Sequence, residues 1–186
     1  MQKPKAQKIN GANTDRPRVA ISSCLYGQRV RYDADIMAFP DLLEDLQQHV
    51  ELVSVCPEVE IGLTVPRPPV QLTGSIEHPS MTGRDNPELD ISLPMYDYCH
   101  SKPGQLRSIA GYIFKSRSPS CGLRDVPVFH RGSIIEARSQ GLFSRAICNY
   151  FPQLPVSDET ELASHQQRID FIQRVMHYYK NRTDNN

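Results

Sequence analysis

The chain has 186 residues and a mass of 21.1 kDa, the size of one domain that buries a core of its own. Its 21 lysine and arginine residues balance 21 aspartate and glutamate residues, so it lacks the basic excess of a dedicated nucleic-acid-binding protein. No apolar run approaches the roughly 20 residues of a membrane span, and the N-terminal residues lack the apolar stretch of a signal peptide. We therefore expect a soluble, cytoplasmic, monomeric protein.

The first third of the chain predicts a polar tail followed by two strands and a helix. Residues 1–16 hold hardly any apolar side chain and predict a disordered segment. The apolar run at 18–22 predicts a buried strand. Helical spacing at 41–46, directly after Pro40, predicts a helix, and residues 51–55 predict the second strand.

Prolines are frequent in the next section, residues 65–87. Such a section predicts a long irregular loop, and a loop of that length inside a domain usually forms a lid or a wall of a functional site. Residues 93–107 predict a partial helix that Pro103 and Gly104 interrupt. The apolar run at 109–114 predicts the third strand.

The C-terminal third predicts two helices around a short strand. Residues 141–150 predict a helix and residues 154–156 a strand, and Asp158 with Glu161 resembles a capping box at the start of an amphipathic helix. The apolar face of that helix comprises Leu162, Ile169, Ile172, Val175 and Met176. Strands separated by helices predict an α/β fold: a single compact domain over residues 17–180 with a mainly parallel sheet flanked by helices. We predict a second disordered tail at residues 181–186.

Three of the five cysteines share one position relative to the predicted strands. Cys24, Cys56 and Cys121 each lie just beyond the end of a strand. Because the carboxyl ends of parallel strands form one edge of a sheet, where ligands bind, these thiols are expected to converge. Cys99 and Cys148 fall inside predicted helices, where a cysteine is most often a small buried hydrophobic residue. An odd cysteine number in a reducing compartment argues against a disulfide framework.

The spacing of the three thiols leaves their chemistry open. Structural zinc prefers four ligands in closely spaced pairs, and a single nucleophilic cysteine would account for only one of the three. An iron–sulfur cluster on three thiolates would keep one iron open for a substrate. Chance placement is the remaining alternative.

Three segments that each contain one of these cysteines resemble the signature blocks of the thiouracil desulfidase (TudS-like) family. The blocks are residues 21–27 with 30–33, residues 55–59 with 62–69, and residues 116–122. The resemblance implies a desulfidase-like α/β domain carrying a [4Fe-4S] cluster on Cys24, Cys56 and Cys121, at the C-terminal edge of the strands. It also implies an enzyme that removes sulfur from thiolated pyrimidines without redox chemistry, giving the oxo base and hydrogen sulfide.

The substrate that the resemblance implies is 2- or 4-thiouracil or a related nucleoside. Thiouridine in tRNA is the alternative. Family members that act on tRNA can carry an additional domain, for which we expect no room in this chain. The alternative that is not an enzyme is a module that binds zinc and contacts RNA or a protein.

Several polar residues near the cysteines are candidates for proton transfer and substrate binding. Glu58, two residues beyond Cys56, resembles the acid/base carboxylate of the family, and a loop carboxylate paired with Arg67 is its structural alternative. Ser118 is a candidate proton relay or substrate contact, with a turn hydroxyl as the alternative. Arg67, Ser120 and Ser23 are predicted to contact the substrate; the two serines are also candidates for hydrogen bonds to cluster sulfides.

Overall fold

Two four-stranded sheets and five helices build the part of the chain that the computed structural model describes, residues 16–183. Within this range no helix combines the length and the apolar character needed to cross a membrane. The elements in chain order are β1 (Arg18–Ser22), α1 (Pro40–Gln47), β2 (Glu51–Val55), α2 (Pro57–Glu60), β3 (Val70–Gly74), β4 (Pro79–Gly83), α3 (Ser92–Gln105), β5 (Ile109–Phe114), β6 (Val126–His130), β7 (Ser133–Ser139), α4 (Leu142–Tyr150), β8 (Val156–Asp158) and α5 (His165–Thr183).

The first sheet is parallel throughout and confirms the predicted fold class. Its strand order is β2-β1-β5-β8, and all three of its strand pairs are parallel. Ser22 at the end of β1 is aligned with Val55 at the end of β2. The carboxyl ends of β1, β2 and β5 therefore lie side by side at one edge, as the sequence predicted.

Helices α1 and α5 cover one face of this sheet. Val19 and Ile21 from β1 pack there with Leu46 from α1 and Phe171 from α5, and all four side chains are fully buried. Alternating side chains of a strand point to opposite faces, so Ala20 belongs to the core on the other face. The parallel sheet is thus buried on both sides, as such sheets usually are.

The second sheet and helices α3 and α4 build the other face, and the sequence did not reveal this sheet. Its order is β4-β3-β6-β7, with β3 antiparallel to β4 and parallel to β6. The irregular loop predicted for residues 65–87 was wrong, because β3 and β4 form a hairpin there. The hairpin bends at Gly74, whose positive φ of 89° suits glycine. Prolines around these short strands obscured the alternation of apolar and polar residues that predicts a strand.

Two helix boundaries also differ from the prediction. The helix α3 continues through Pro103 to Gln105. Proline has no backbone N–H, so Pro103 costs the last turn of this helix one backbone hydrogen bond. The last helix begins at His165 instead of Asp158. The carboxylate of Asp158 accepts hydrogen bonds from the amides of Thr160 and Glu161, which makes a turn after β8 and not a helix cap.

The predicted tails fall mostly outside the described residues. Residues 1–15 and 184–186 lie outside them, while α5 extends to Thr183 and so includes part of the segment predicted as a C-terminal tail.

Gly111 lies where α5 packs closely against β5. A Cβ at this position would lie 2.7 Å from Cγ2 of Val175 and 3.3 Å from Cζ of Phe171. We expect Gly111→Ala to lower the free energy of unfolding by about 1–3 kcal/mol, the usual cost of overpacking a core. Gly104→Ala is the control, since its Cβ would meet nothing closer than the Tyr150 hydroxyl at 3.9 Å. Urea unfolding of both variants measures the difference, and equal stability would contradict this account of the packing.

Candidate functional site

Cys24, Cys56 and Cys121 line one cavity of about 330 Å³ at the carboxyl edge of the parallel sheet. The structure thus brings together the three strand-end thiols that the sequence singled out. All three are free thiols. The cavity volume lies at the lower end of the range of roughly 300–1,000 Å³ that is typical of small-molecule sites.

Cys24 lies in a tight turn that begins where β1 ends. The amide of Ser23 donates to the carbonyl of Val55 at 3.0 Å, which ties this turn to the end of β2, and the amide of Leu25 donates to the Ser22 carbonyl at 2.8 Å. The turn closes at Gly27, whose φ is +79°. The thiol position is therefore set by both strands.

Cys56 is the residue before the short helix α2, and Pro57 occupies the first helical position, where proline fits well. The backbone amide of Cys56 donates to Oε1 of Glu60 at 3.3 Å. The other oxygen of this carboxylate accepts a hydrogen bond from Nζ of Lys102 at 2.6 Å. A charged pair on α2 and α3 thus fixes the backbone that carries the thiol.

Cys121 ends a turn that Ser118 organises. The Ser118 hydroxyl oxygen accepts hydrogen bonds from the amides of Ser120 at 3.3 Å and Cys121 at 3.1 Å. The turn hydroxyl that was the alternative for Ser118 is therefore present, and the same side chain lines the cavity. Gly122 allows the turn to close, because a Cβ there would lie 2.9 Å from the Ser118 carbonyl oxygen.

The three thiols share an apolar environment and act on one another. Burial raises the pKa of Cys24 to about 11, and the nearby Cys56 acts in the same direction while Lys115 opposes it. Burial also raises the pKa of Cys56 and that of Cys121, for which Cys56 is the next contributor. The thiols are thus protonated near neutral pH, and a metal that binds them must displace their protons.

The donor set on this cavity is three thiols. Among residues 16–183, no three histidine, cysteine, aspartate or glutamate side chains are arranged to hold one ion. Cysteine thiolates are the usual ligands of iron–sulfur clusters, so the donor set suits that chemistry.

Glu58 lies beside the thiols with both carboxylate oxygens bound. Nε and Nη2 of Arg67 approach Oε2 at 2.9 Å and 2.8 Å. The hydroxyl of Ser120 donates to Oε1 at 2.8 Å. The side chain of Arg67 is 6% exposed and that of Glu58 is 13% exposed, so this ion pair is largely shielded from water. The Arg67 pairing that was the structural alternative for Glu58 is present.

The polar groups of Arg67 and Ser120 are directed mainly toward Glu58 and less toward the open cavity. The guanidinium of Arg67 also donates to the carbonyls of Val30 at 2.9 Å and Thr64 at 3.3 Å, and its side chain lines the cavity. Ser120 is fully buried and is not part of the cavity wall. Ser23 is part of that wall, although only 3% of its surface is exposed.

Sequence reasoning missed a buried ion pair next to Cys24. Lys115 follows directly after β5 and lines the cavity. Its ammonium group pairs with Glu159, whose side chain is 7% exposed. The same carboxylate accepts hydrogen bonds from the amide of Ser116 at 2.9 Å and from its hydroxyl at 2.6 Å. The signal that could have revealed Lys115 is the one used for the cysteines, a polar residue at a strand end.

The two remaining cysteines lie elsewhere. Cys99 is buried within α3, where burial raises its pKa to about 12, and Cys148 is partly buried within α4. Neither lines the cavity. Their positions agree with the prediction that both are packing residues.

Comparison with known proteins identifies relatives of the chain. The sequence model of the family described as 2-thiouracil desulfurase matches residues 19–159, which is most of the chain. The solved structure of the [4Fe-4S]-dependent thiouracil desulfidase TudS is similar, with a TM-score of 0.60 and 24% sequence identity over 83% of this chain and 99% of that one. At this identity the likeness concerns the fold. None of the curated protein sequences compared with the chain matches it.

The pair of Arg67 and Glu58 should stabilise the loops around the cavity. We expect Arg67→Gln to lower the free energy of unfolding by about 3–5 kcal/mol, because it leaves a shielded carboxylate without its partner. Arg84→Gln is the matched control: Nε of Arg84 lies 3.0 Å from Asp85, but these side chains are 55% and 64% exposed. Its loss should cost at most about 1 kcal/mol. Similar urea midpoints for the two variants would contradict the structural importance of the shielded pair.

Proposed function

The chain belongs to the 2-thiouracil desulfurase family, and on this premise we propose that it is a thiopyrimidine desulfidase. The proposed reaction is hydrolytic: water supplies the oxygen that replaces the thiocarbonyl sulfur, and the sulfur leaves as hydrogen sulfide. One substrate and one water give one oxo base and one hydrogen sulfide, so no electron donor or acceptor is needed. The observation that carries the proposal is the convergence of three free thiols from three strand ends on one cavity.

Cys24, Cys56 and Cys121 are the proposed ligands of a [4Fe-4S] cluster, the cofactor of the structurally similar TudS. When bound, such a cluster with three thiolate ligands supplies a soft Lewis-acidic iron that suits thiocarbonyl sulfur. The position of the three thiols in the wall of one cavity supports the assignment. The turn at Ser118 and the carboxylate of Glu60 hold the backbone of two of these ligands.

Glu58 is the proposed proton-transfer group. Its carboxylate lines the same cavity as the three thiols, where it can take a proton from the attacking water and return one to the leaving sulfur. Two nitrogens of Arg67 hold Oε2, and the Ser120 hydroxyl donates to Oε1, so Oε1 retains a second lone pair for water. The hydroxyl of Ser118 accepts two amide hydrogens and keeps its own proton for a substrate atom.

The donors already bound to Glu58 change the roles we assign to two predicted substrate ligands. We assign Arg67 and Ser120 to positioning the carboxylate, since both donate to it directly. Ser23 remains a candidate for contact with the substrate or with a cluster sulfide, because it lies in the cavity wall next to Cys24.

A free base or nucleoside is the substrate class we propose. A cavity of about 330 Å³ is small for a ligand site, whereas thiouridine in tRNA would first have to be turned out of its stack. Parallel assays of hydrogen sulfide release from 2-thiouracil, 4-thiouracil, their nucleosides, their nucleotides and thiolated tRNA test this choice. Turnover of thiolated tRNA alone would overturn it.

The cysteines provide their own matched controls. We expect Cys24→Ala, Cys56→Ala and Cys121→Ala each to lose cluster and turnover, because each removes one of three thiolates. Cys99→Ala and Cys148→Ala should keep both, since these residues lie outside the cavity. Iron, acid-labile sulfide and hydrogen sulfide release are measured after anaerobic reconstitution. Full cluster content in any variant of the first group, or one zinc without acid-labile sulfide in the unmodified protein, would contradict the ligand assignment.

The carboxylate of Glu58 should matter for turnover and not for the cluster. We expect Glu58→Gln to lower kcat by about 10²–10⁴-fold, the usual contribution of a general acid or base. Iron and sulfide content should stay at the level of the unmodified protein. Glu51→Gln is the control, because Glu51 is exposed at the opposite end of β2. A Glu58→Gln variant with normal kcat would remove this carboxylate from the mechanism.

A further inference from the structure

Five basic residues of the described chain lie in the wall of the cavity, and four of them have a carboxylate partner. Each of the four forms an ion pair with an aspartate or a glutamate: Arg31 with Asp33, Arg67 with Glu58, Arg84 with Asp85, and Lys115 with Glu159. The fifth is Arg117, which is exposed. Within residues 16–183 its guanidinium has neither an ion pair nor a hydrogen bond. A positive charge and a full set of N–H donors are therefore available to a ligand at this place.

The backbone of Arg117 has an unfavourable conformation. Its φ is +57°, in the left-handed region that glycine enters at lower cost than a residue with a long side chain. Ala34, Asp125 and Arg131 also have a positive φ, but they lie outside the cavity wall. A conformation of this kind next to a ligand site indicates that the side chain itself has a role there.

Hydrogen bonds on both sides of Arg117 hold it in this conformation. Before it, the carboxylate of Glu159 accepts hydrogen bonds from the amide of Ser116 at 2.9 Å and from its hydroxyl at 2.6 Å. After it, the hydroxyl oxygen of Ser118 accepts a hydrogen bond from the amide of Cys121 at 3.1 Å. The turn that carries the Cys121 thiol thus also fixes the place of Arg117 beside the cavity.

The cavity extends from a buried thiol to this exposed arginine. Cys121 is 5% exposed, whereas Arg117 is open to solvent. A thiopyrimidine whose sulfur points toward the thiols therefore has the rest of its ring directed toward the outer part of the cavity. In both 2-thiouracil and 4-thiouracil, one ring nitrogen separates the carbon that carries sulfur from the carbon that carries oxygen. The same outer group can consequently contact the oxygen of either compound.

Arg67, which the sequence predicted as a substrate contact, is occupied. Its guanidinium donates to the carboxylate of Glu58 and to the carbonyls of Val30 and Thr64. Arg117 has no such partners among the described residues, so it is the better candidate for a contact with the substrate oxygen.

We propose that Arg117 donates a hydrogen bond to the exocyclic oxygen of 2- or 4-thiouracil and thereby selects thiopyrimidines that carry this oxygen. The inference rests on the proposed function and deepens it. A hydrogen bond from a charged donor is stronger than one between neutral groups, and a site with such a donor discriminates against an analogue that lacks the acceptor. Arg117 is thus a specificity-determining residue.

The test compares kcat/KM for 2-thiouracil with kcat/KM for pyrimidine-2-thione, which carries the same sulfur but lacks the exocyclic oxygen. We expect Arg117→Gln to lower kcat/KM for 2-thiouracil by about tenfold, the lower end for a hydrogen bond to a charged group because water solvates the exposed guanidinium. The value for pyrimidine-2-thione should not change. If this compound binds without turnover, its inhibition constant against 2-thiouracil is compared instead.

Two further variants serve as a second test and a control. Arg117→Gly suits the positive φ of this position and should lose the same preference for 2-thiouracil. Arg131→Gln is the matched control, because it removes the same charge from an exposed residue with a φ of +48° outside the cavity wall. It should leave both substrates unaffected.

Cluster content and stability separate recognition of the substrate from a structural role. Iron, acid-labile sulfide and Tm of both Arg117 variants should match those of the unmodified protein, and lower values in both would assign the residue to structure and overturn the inference. Unchanged kcat/KM for 2-thiouracil, or an equal loss for both compounds, would also overturn it and leave the proposed function intact. Failure of the cluster-loaded, unmodified protein to release hydrogen sulfide from any thiopyrimidine would overturn both.

Discussion

The parallel direction of β1, β2 and β5 is the constraint on which the site depends. Parallel strands place all their carboxyl ends at one edge, and every connection must cross the sheet to start the next strand. Three thiols that are far apart in sequence consequently meet at one cavity. The hydrogen bond from Ser23 to Val55 fixes two of the three loops against each other. A reversed strand would carry its cysteine to the opposite edge.

The two faces of this sheet serve the site differently. Helices α1 and α5 close one face with aliphatic and aromatic side chains, so that the strands themselves are held firmly. The other face carries Cys121, Tyr112 and Phe143 in one continuous core with the second sheet. That core excludes water from the inner side of the cavity, and it raises the pKa of Cys121 through burial. Because an unpaired buried anion is energetically costly, a site of this kind holds charged thiolates only together with a bound cation.

Local sequence patterns predicted the strands of the parallel sheet and the three cysteines, because these depend on short apolar runs and on the residues directly after each run. The second sheet stayed hidden because β3 and β4 are short, lie among prolines and pair only through tertiary contacts. The start of α5 and the course of α3 through Pro103 depend on packing and not on local propensity. The ion pair of Lys115 with Glu159 joins residues far apart in the sequence, so a local pattern does not reveal it. The role of Glu58 stays a prediction, and its hydrogen bond from Ser120 is visible only in the structure.

The structural and the catalytic interpretation of Glu58 support each other. Arg67 contacts the carbonyl of Val30 beyond the first cysteine turn, the carbonyl of Thr64 beyond α2, and the carboxylate itself. A proton-transfer group must keep a fixed distance to the reacting atoms, and a carboxylate on a free loop would lose that position at each turnover. The shielded pair therefore ties the carboxylate to two loops of the site at once. Ser120 adds a tie to the third, since it precedes Cys121 directly, so that all three cysteine loops are linked through one side chain.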